Sequence, residues 1–202
     1  MSDMIIDVDE SLLIRELKAI LVAIQSEGTS INVLNASIPN VIQFRRKIIK
    51  QWNPDRECWE GCPFHITTEP FVLLRMTGEE LIRKHQDSCL VSFLESVKSA
   101  FKDRHIVIIL EGLASFYKSH AKMTKDNFNL AMRGAASGFA PSQEMTALPN
   151  PQELQRLLIQ VELEMNCGIY QTEKLEETAE YVISFTRELA ILFDIEYVVL
   201  FA

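Results

Sequence analysis

The chain has 202 residues, of which 48% are apolar and 24% charged, so it can bury one sizeable core and is excluded from general disorder. A net charge of −8 excludes a surface that attracts polyanions as a whole; nucleic-acid contact requires a local basic patch or a partner's charge. The apolar runs are too short to span a bilayer, and the start lacks a basic flank, apolar stretch and cleavage site, so an intracellular protein is expected.

Apolar and polar segments alternate as βα units. Met4–Val8, bounded by acids, reads as a first strand. Asp9 or Ser11 then caps a helix with Leu12, Leu13, Leu17, Ile20, Leu21 and Ile24 on one face and Gly28 as a stop. Ser30–Leu34 and Val41–Ile49 read as the second and third strands, and Pro54 to Pro70 as a turn-rich excursion. Phe71–Met76 is the fourth strand, running into a helix opened by Thr77-Gly-Glu-Glu-Leu81 with acids in its first turn. Cys89–Phe101 follows as an amphipathic helix. His105–Leu110 is an unbroken apolar run, the mark of a strand covered on both faces. Ala121 to Ala147 has no sustained period and reads as a flexible insertion. Pro149–Met165 resumes a helical pattern through Leu154, Leu157, Leu158 and Val161. Gly168–Tyr170 is a short sixth strand, and Thr172–Leu192 the long last helix. The expectation is one α/β domain over residues 1–202, with a mostly parallel central sheet flanked by helices.

Neither nucleotide cradle is present: the chain has no G-x-x-x-x-G-K-[S/T] and no G-x-G-x-x-G, and no G-x-S-x-G elbow. The four cysteines, Cys58, Cys62, Cys89 and Cys167, suit free thiols in a reducing compartment. The alternative, a zinc site from Cys58, Cys62, His85 and Cys89, has loose spacing. Three acids at strand ends, Asp7, Asp9 and Glu111, could hold Mg²⁺ at the carboxyl ends of the strands. Otherwise Asp9 caps a helix while Asp7 and Glu111 meet solvent or a basic neighbour. The Phe71 strand supplies no acid or lysine to complete a metal site, which favours the second reading.

Several segments carry a family resemblance. Ile109-Leu-Glu-Gly112 after an apolar strand resembles the strand-end signature of the XPF-type structure-selective nuclease fold. Ile38–Lys47, Glu69–Leu74, Leu148–Leu154, Leu157–Val161 and the tail residues Leu175, Tyr181, Ser184–Thr186 and Ala190 are similar to one branch of it. That branch is the non-catalytic (essential meiotic endonuclease) subunit of the crossover-junction endonuclease. Active members of the fold carry G-D-x-x-x-x-E-R-K-x-x-x-D, with acids gripping a divalent metal. Laying their strand on Val72–Leu81 puts Leu74 at the Glu, Arg75 at the Arg and Met76 at the Lys, with Glu79 and Glu80 on the acidic pair. Gln43 takes the place of the Asp in G-D-F.

The resemblance therefore implies a pseudo-nuclease with no catalytic or metal-binding residue of its own. It would heterodimerise with a catalytic XPF-family subunit that carries Mg²⁺ and acts on branched DNA, such as 3′-flaps, forks and nicked Holliday junctions, in the nucleus. The family's helix-hairpin-helix module is not visible here, so the DNA affinity of this chain is expected to be low. The rival function is a divalent-metal-dependent nuclease using Asp7, Asp9 and Glu111. A third possibility is an unrelated α/β adaptor. Arg45, Arg46 and Lys47 are the candidate phosphate contacts, against a solvated edge that balances nearby acids; alternation puts Arg45 and Lys47 on one face and Arg46 on the other. The last helix carries more apolar surface than one face requires, so Tyr181, Phe185, Leu189 and Leu192 are read as a partner surface, part of which must be core.

Overall fold

A computed structural model describes residues 3–12, 22, 25, 29–134 and 148–199, and of 127–134 and 192–199 the backbone alone. Among the described residues six strands form one sheet: β1 (Met4–Asp9), β2 (Ser30–Leu34), β3 (Val41–Asn53), β4 (Cys58–Thr77), β5 (His105–Glu111) and β6 (Gly168–Thr172), in the order β2-β1-β3-β4-β5-β6. The helices are α1 (Gly78–Gln86), α2 (Leu90–Ala100), α3 (Leu113–Gly134), α4 (Pro151–Met165) and α5 (Leu175–Val199). A short 3₁₀ turn, Glu10–Leu12, follows β1; the helix expected from there to Gly28 lies almost wholly outside the described residues.

Side chains alternate across a strand, so each of the central strands feeds two cores. On one face Val41, Val72, Leu74, Met76, Ile108 and Leu110 pack under α1, α2 and α4, through Leu81, Ile82, Leu90, Leu94, Leu158 and Val161. On the other Ile6, Val8, Ile42, Phe44, Leu73 and Ile109 meet α5 through Ala179, Val182 and Leu189. This double cover is why β5 reads as an unbroken apolar run.

The sheet is mixed. β1–β2, β4–β5 and β5–β6 pair parallel, but β3 runs antiparallel to both β1 and β4. The cause is a tight connection: residues 54–57 turn β3 straight back into β4, and only an antiparallel pair can be joined so closely. Asn53 Oδ1 accepts from the N–H of Asp55 at 3.0 Å and of Arg56 at 3.3 Å, and Glu57 takes φ 49°. Trp52 and Trp59 close the hairpin edge-to-face across the strands, 5.8 Å apart. The expected excursion from Pro54 to Pro70 is therefore mostly strand. Pro63 and Pro70 are tolerated because β5 pairs with β4 only from Phe71 onward.

A second correction concerns Ala121 to Ala147. The helix α3 continues to Gly134, while 135–147 lie outside the described residues. Residues 121–126 are all exposed, so this part of the helix has no core-facing stripe and shows no apolar period. Two reciprocal caps place the helices that matter for the site. Thr77 Oγ1 accepts from the Glu80 N–H while the Glu80 carboxylate accepts from the Thr77 N–H, both at 3.1 Å. Asn150 and Glu153 do the same for α4, with Pro151 in its first turn and Asn166 left-handed at its end.

At Gly78 a Cβ would lie 2.6 Å from the Leu113 Cα, so α1 and α3 meet backbone to backbone. Helix propensity alone would reward Gly78→Ala by up to about 1 kcal/mol. Overpacking should instead cost about 1–3 kcal/mol, read as a lowered denaturation midpoint.

Candidate functional site at the strand ends

The register aligns Asp7, Gln43 and Val72 in one row across β1, β3 and β4, and pairs Val41 with Leu74. By alternation Asp7, Asp9, Gln43, Leu74 and Met76 share one sheet face. Leu74 and Met76 are 1% and 2% exposed and belong to the core beneath α1, α2 and α4. Around Met76, Leu158, Val161 and Ile169 the packing leaves a gap of about 10 Å³. The polar groups nearby are already engaged. Asp7 accepts both fork bonds of Arg45, from Nε and Nη2 at 2.5 Å, and a third bond from Asn32 at 3.1 Å. Gln43 Oε1 accepts from Arg104 at 2.6 Å.

The helix that Asp9 or Ser11 is expected to cap lies almost wholly outside the described residues; Asp9 accepts from the Ser11 N–H at the 3₁₀ turn and also pins the loop before β3. Its carboxylate accepts from the N–H groups of Ala36 (3.1 Å) and Asn40 (2.9 Å) and from the Ser11 hydroxyl and N–H. Burial pushes the Asp9 carboxyl up, but these bonds outweigh it and hold the group below its ordinary 3.8. The Arg45 guanidinium is raised, first by its bond to Asp7.

Glu111 lies on the opposite face, with Arg75. Arg75 donates to it from Nη2 at 2.6 Å and Nε at 3.0 Å, and Thr178 of α5 donates at 2.7 Å. The Thr172 hydroxyl lies 2.8 Å from that of Thr178. Burial raises the Glu111 carboxyl, while Arg75 and Thr178 outweigh it and leave the group below its ordinary 4.5. Asp7 and Asp9 thus face one side of the sheet and Glu111 the other, with β3 and β4 between them, so the three acids cannot converge on one ion. Among the described residues no group of three His, Cys, Asp or Glu is placed to hold a metal. A hard divalent cation wants six or more oxygens, and the donor set beside Leu74 and Met76 does not meet that need. Glu79 is exposed and Glu80 is spent on its cap.

The basic cluster divides as alternation requires. Lys47 donates to Ser30 at 3.1 Å on the Arg45 side. Arg46 does not present a surface cation: it is 6% exposed, paired with Glu69 at 2.6 Å and bonded to the Leu189 carbonyl at 2.6 Å. The expected partner face of α5 is also turned largely inward. Leu189 is buried, Phe185 packs with Phe44 and Phe71 at 5.6 Å, and Tyr181 stacks on Tyr170 at 3.8 Å. The Leu192 side chain lies outside the described residues. Cys58, Cys62, Cys89 and Cys167 are free thiols and His85 is exposed.

Sequence reading missed Arg104, Thr178 and the left-handed Asn40 (φ 62°). It also missed Ile159 and Leu163, 49% and 77% exposed on the outer side of α4 in a shallow groove with Arg156, Gln160 and Glu164. Their i, i+4 spacing was the available signal.

A mixed six-stranded sheet between two helical layers, with buried acids tied up on both faces, defines an α/β domain. The chain matches the ERCC4 domain over residues 6–185 and belongs to that family, the XPF-type nuclease domain. It is similar to crossover junction endonuclease eme1 of Schizosaccharomyces pombe, 23% identical over 161 residues; the match covers 79% of this chain and 22% of that protein's length. Two solved structures of XPF from Aeropyrum pernix are similar as well. The complex with DNA has a TM-score of 0.46 at 13% identity, covering 93% of this chain and 64% of that one. The other has a TM-score of 0.49 at 12% identity, covering 91% and 60%.

Leu74→Glu should not simply install a ligand. It places an unpaired carboxylate in the core at a cost of about 3–5 kcal/mol, measurable by denaturant unfolding. Glu111→Gln tests the opposite face. Because its folded pKa is depressed, Glu111 contributes stability that is fully present above its ordinary 4.5 and is lost as pH falls through the folded value. The stability gap between wild type and Glu111→Gln should therefore be widest near neutrality and close in acid, as read from unfolding midpoints across pH.

Proposed function

We propose that this chain is a non-catalytic subunit that pairs with an active XPF-family nuclease and shapes its cutting of branched DNA, such as 3′-flaps, forks and nicked Holliday junctions, in nuclear recombination and repair. The observation that carries the reading is the burial of Leu74 and Met76, at 1% and 2% exposure, where the strand of an active member holds its Glu and Lys. Neither side chain can ligate a hard cation or polarise a phosphate. Membership of the ERCC4 family and the similarity to crossover junction endonuclease eme1 support the same class of complex. In this reading Mg²⁺ belongs to the catalytic partner. Lys47 and the outer part of Arg45 remain the phosphate contacts, and Arg46 serves the fold.

The partner surface in this proposal is the outer face of α4. An exposed leucine and isoleucine one turn apart lie where a lone helix would carry polar residues. Burying each contributes roughly 1.5–3 kcal/mol. Tyr181, Phe185 and Leu189 belong to the opposite layer, where they pack α5 onto the other face of the sheet.

Co-expression with a catalytic XPF-family nuclease domain should give a stable pair that cleaves a 3′-flap in Mg²⁺, while this chain alone leaves the flap intact. Ile159→Asp/Leu163→Asp should weaken pairing more than about tenfold with unchanged thermal unfolding, since each 1.4 kcal/mol is a factor of ten. Cleavage by the isolated chain that vanishes in Asp7→Asn would reverse the assignment.

A further inference from the structure

Asp7 is a carboxylate that the fold has taken out of water, with 5% of its surface exposed in the middle of the first strand. A buried carboxylate stays ionised only when positive charge and hydrogen bonds come with it. In a metal-binding domain the ion itself would supply that charge.

Here the charge comes from the chain. Arg45 stands opposite Ile5 in the register, so it is the diagonal neighbour of Asp7 on the same face. Its planar fork covers both carboxylate oxygens at 2.5 Å, the geometry in which guanidinium binds carboxylate most strongly. The remaining oxygens at this end are held too: Gln43 by Arg104, and Asp9 by three backbone N–H groups and a hydroxyl.

We infer that the Arg45 guanidinium is a resident counter-ion that occupies the cation's place at Asp7 and closes this end of the sheet to divalent metals, which could bind there only after Arg45 is removed. The inference deepens the non-catalytic reading and rests on it for the identity of the strand-end locus. It adds a separable barrier: the missing ligands on β4 limit how tightly an ion could be held, because waters would have to complete its shell, whereas the filled carboxylate on β1 keeps the ion out. Restoring an acid at Leu74 would leave Asp7 still occupied.

The test uses the purified chain, Arg45→Gln and Asp7→Asn/Arg45→Gln, with thermal unfolding followed with and without millimolar Mn²⁺ and free Mn²⁺ followed by electron paramagnetic resonance. A ligand that binds only the folded state raises its stability in proportion to the logarithm of saturation. Wild type should show no Mn²⁺-dependent shift. Arg45→Gln should unfold several degrees lower, recover part of that loss in Mn²⁺ and deplete the free-ion signal. The double variant, with a neutral pair, should lose the Mn²⁺ response.

Equal Mn²⁺ uptake by wild type and Arg45→Gln would overturn the inference, and so would a folded Arg45→Gln that ignores Mn²⁺. If Arg45→Gln folds only in Mn²⁺ the inference stands; if it stays unfolded there while the double variant folds, the inference fails. Pairing is read separately, by co-purification with the catalytic subunit, so failure of the subunit assignment has a different signature.

Discussion

The constraint on which the structure depends is the two-residue alternation of β4 as it passes between two cores. Leu74 and Met76 point into one layer while Leu73 and Arg75 point into the other. Neighbours in sequence therefore do unrelated work. The first pair seals the core under α1, α2 and α4. Arg75 ties β4 to β5 through Glu111, and Glu111 ties both strands to the start of α5 through Thr178. A single register slip would exchange these sets, burying the guanidinium among apolar side chains and leaving Glu111 without its arginine.

Charge on this sheet follows one rule. Each buried acid of the central strands is held by the chain: Asp7 by Arg45, Glu69 by Arg46, Glu111 by Arg75, and Asp9 by backbone N–H groups and Ser11. Such pairs add little net stability over apolar substitutes, but removing one partner leaves an uncompensated charge. The pairs thereby lock the identity of the strand ends. An ionisable group there is bound to another side chain rather than held ready for a ligand.

Much of this was legible in the chain, for physical reasons that can be named. β5 announced itself because a doubly covered strand has no polar face, and α1 because Glu79 and Glu80 fall in its first turn, where the dipole favours acids; the cap that Glu80 closes with Thr77 shows only in the structure. The split of Arg45 and Lys47 from Arg46 followed from alternation. The hairpin was not legible, because Pro63 and Pro70 argue against a strand unless its outer edge is known to be unpaired. Nor was the inward turn of α5. Tyr181 and Phe185 look like surplus apolar surface until Phe44, Phe71 and Tyr170 are known to meet them. On α4 the reverse happened: Leu154, Leu158 and Val161 form the core stripe, and the more distinctive signal, Ile159 and Leu163, sits on the other side.

These two observations join at Met76. The Met76 side chain packs in the same cluster as Leu158 and Val161, the inner residues of α4. Ile159 and Leu163 lie on that helix's outer side. A lysine at 76 would have to keep its ammonium wet or paired, and the seat of α4 would loosen around it. In the proposed reading, a thioether at this point therefore does more than stand where an active member holds its lysine. It gives α4 a dry, close-packed bed, which in the proposed pairing would hold the outer face of the helix ready for a partner. In the proposed reading, the absence of a lysine on the inside and the docking face on the outside are then linked through one layer of packing.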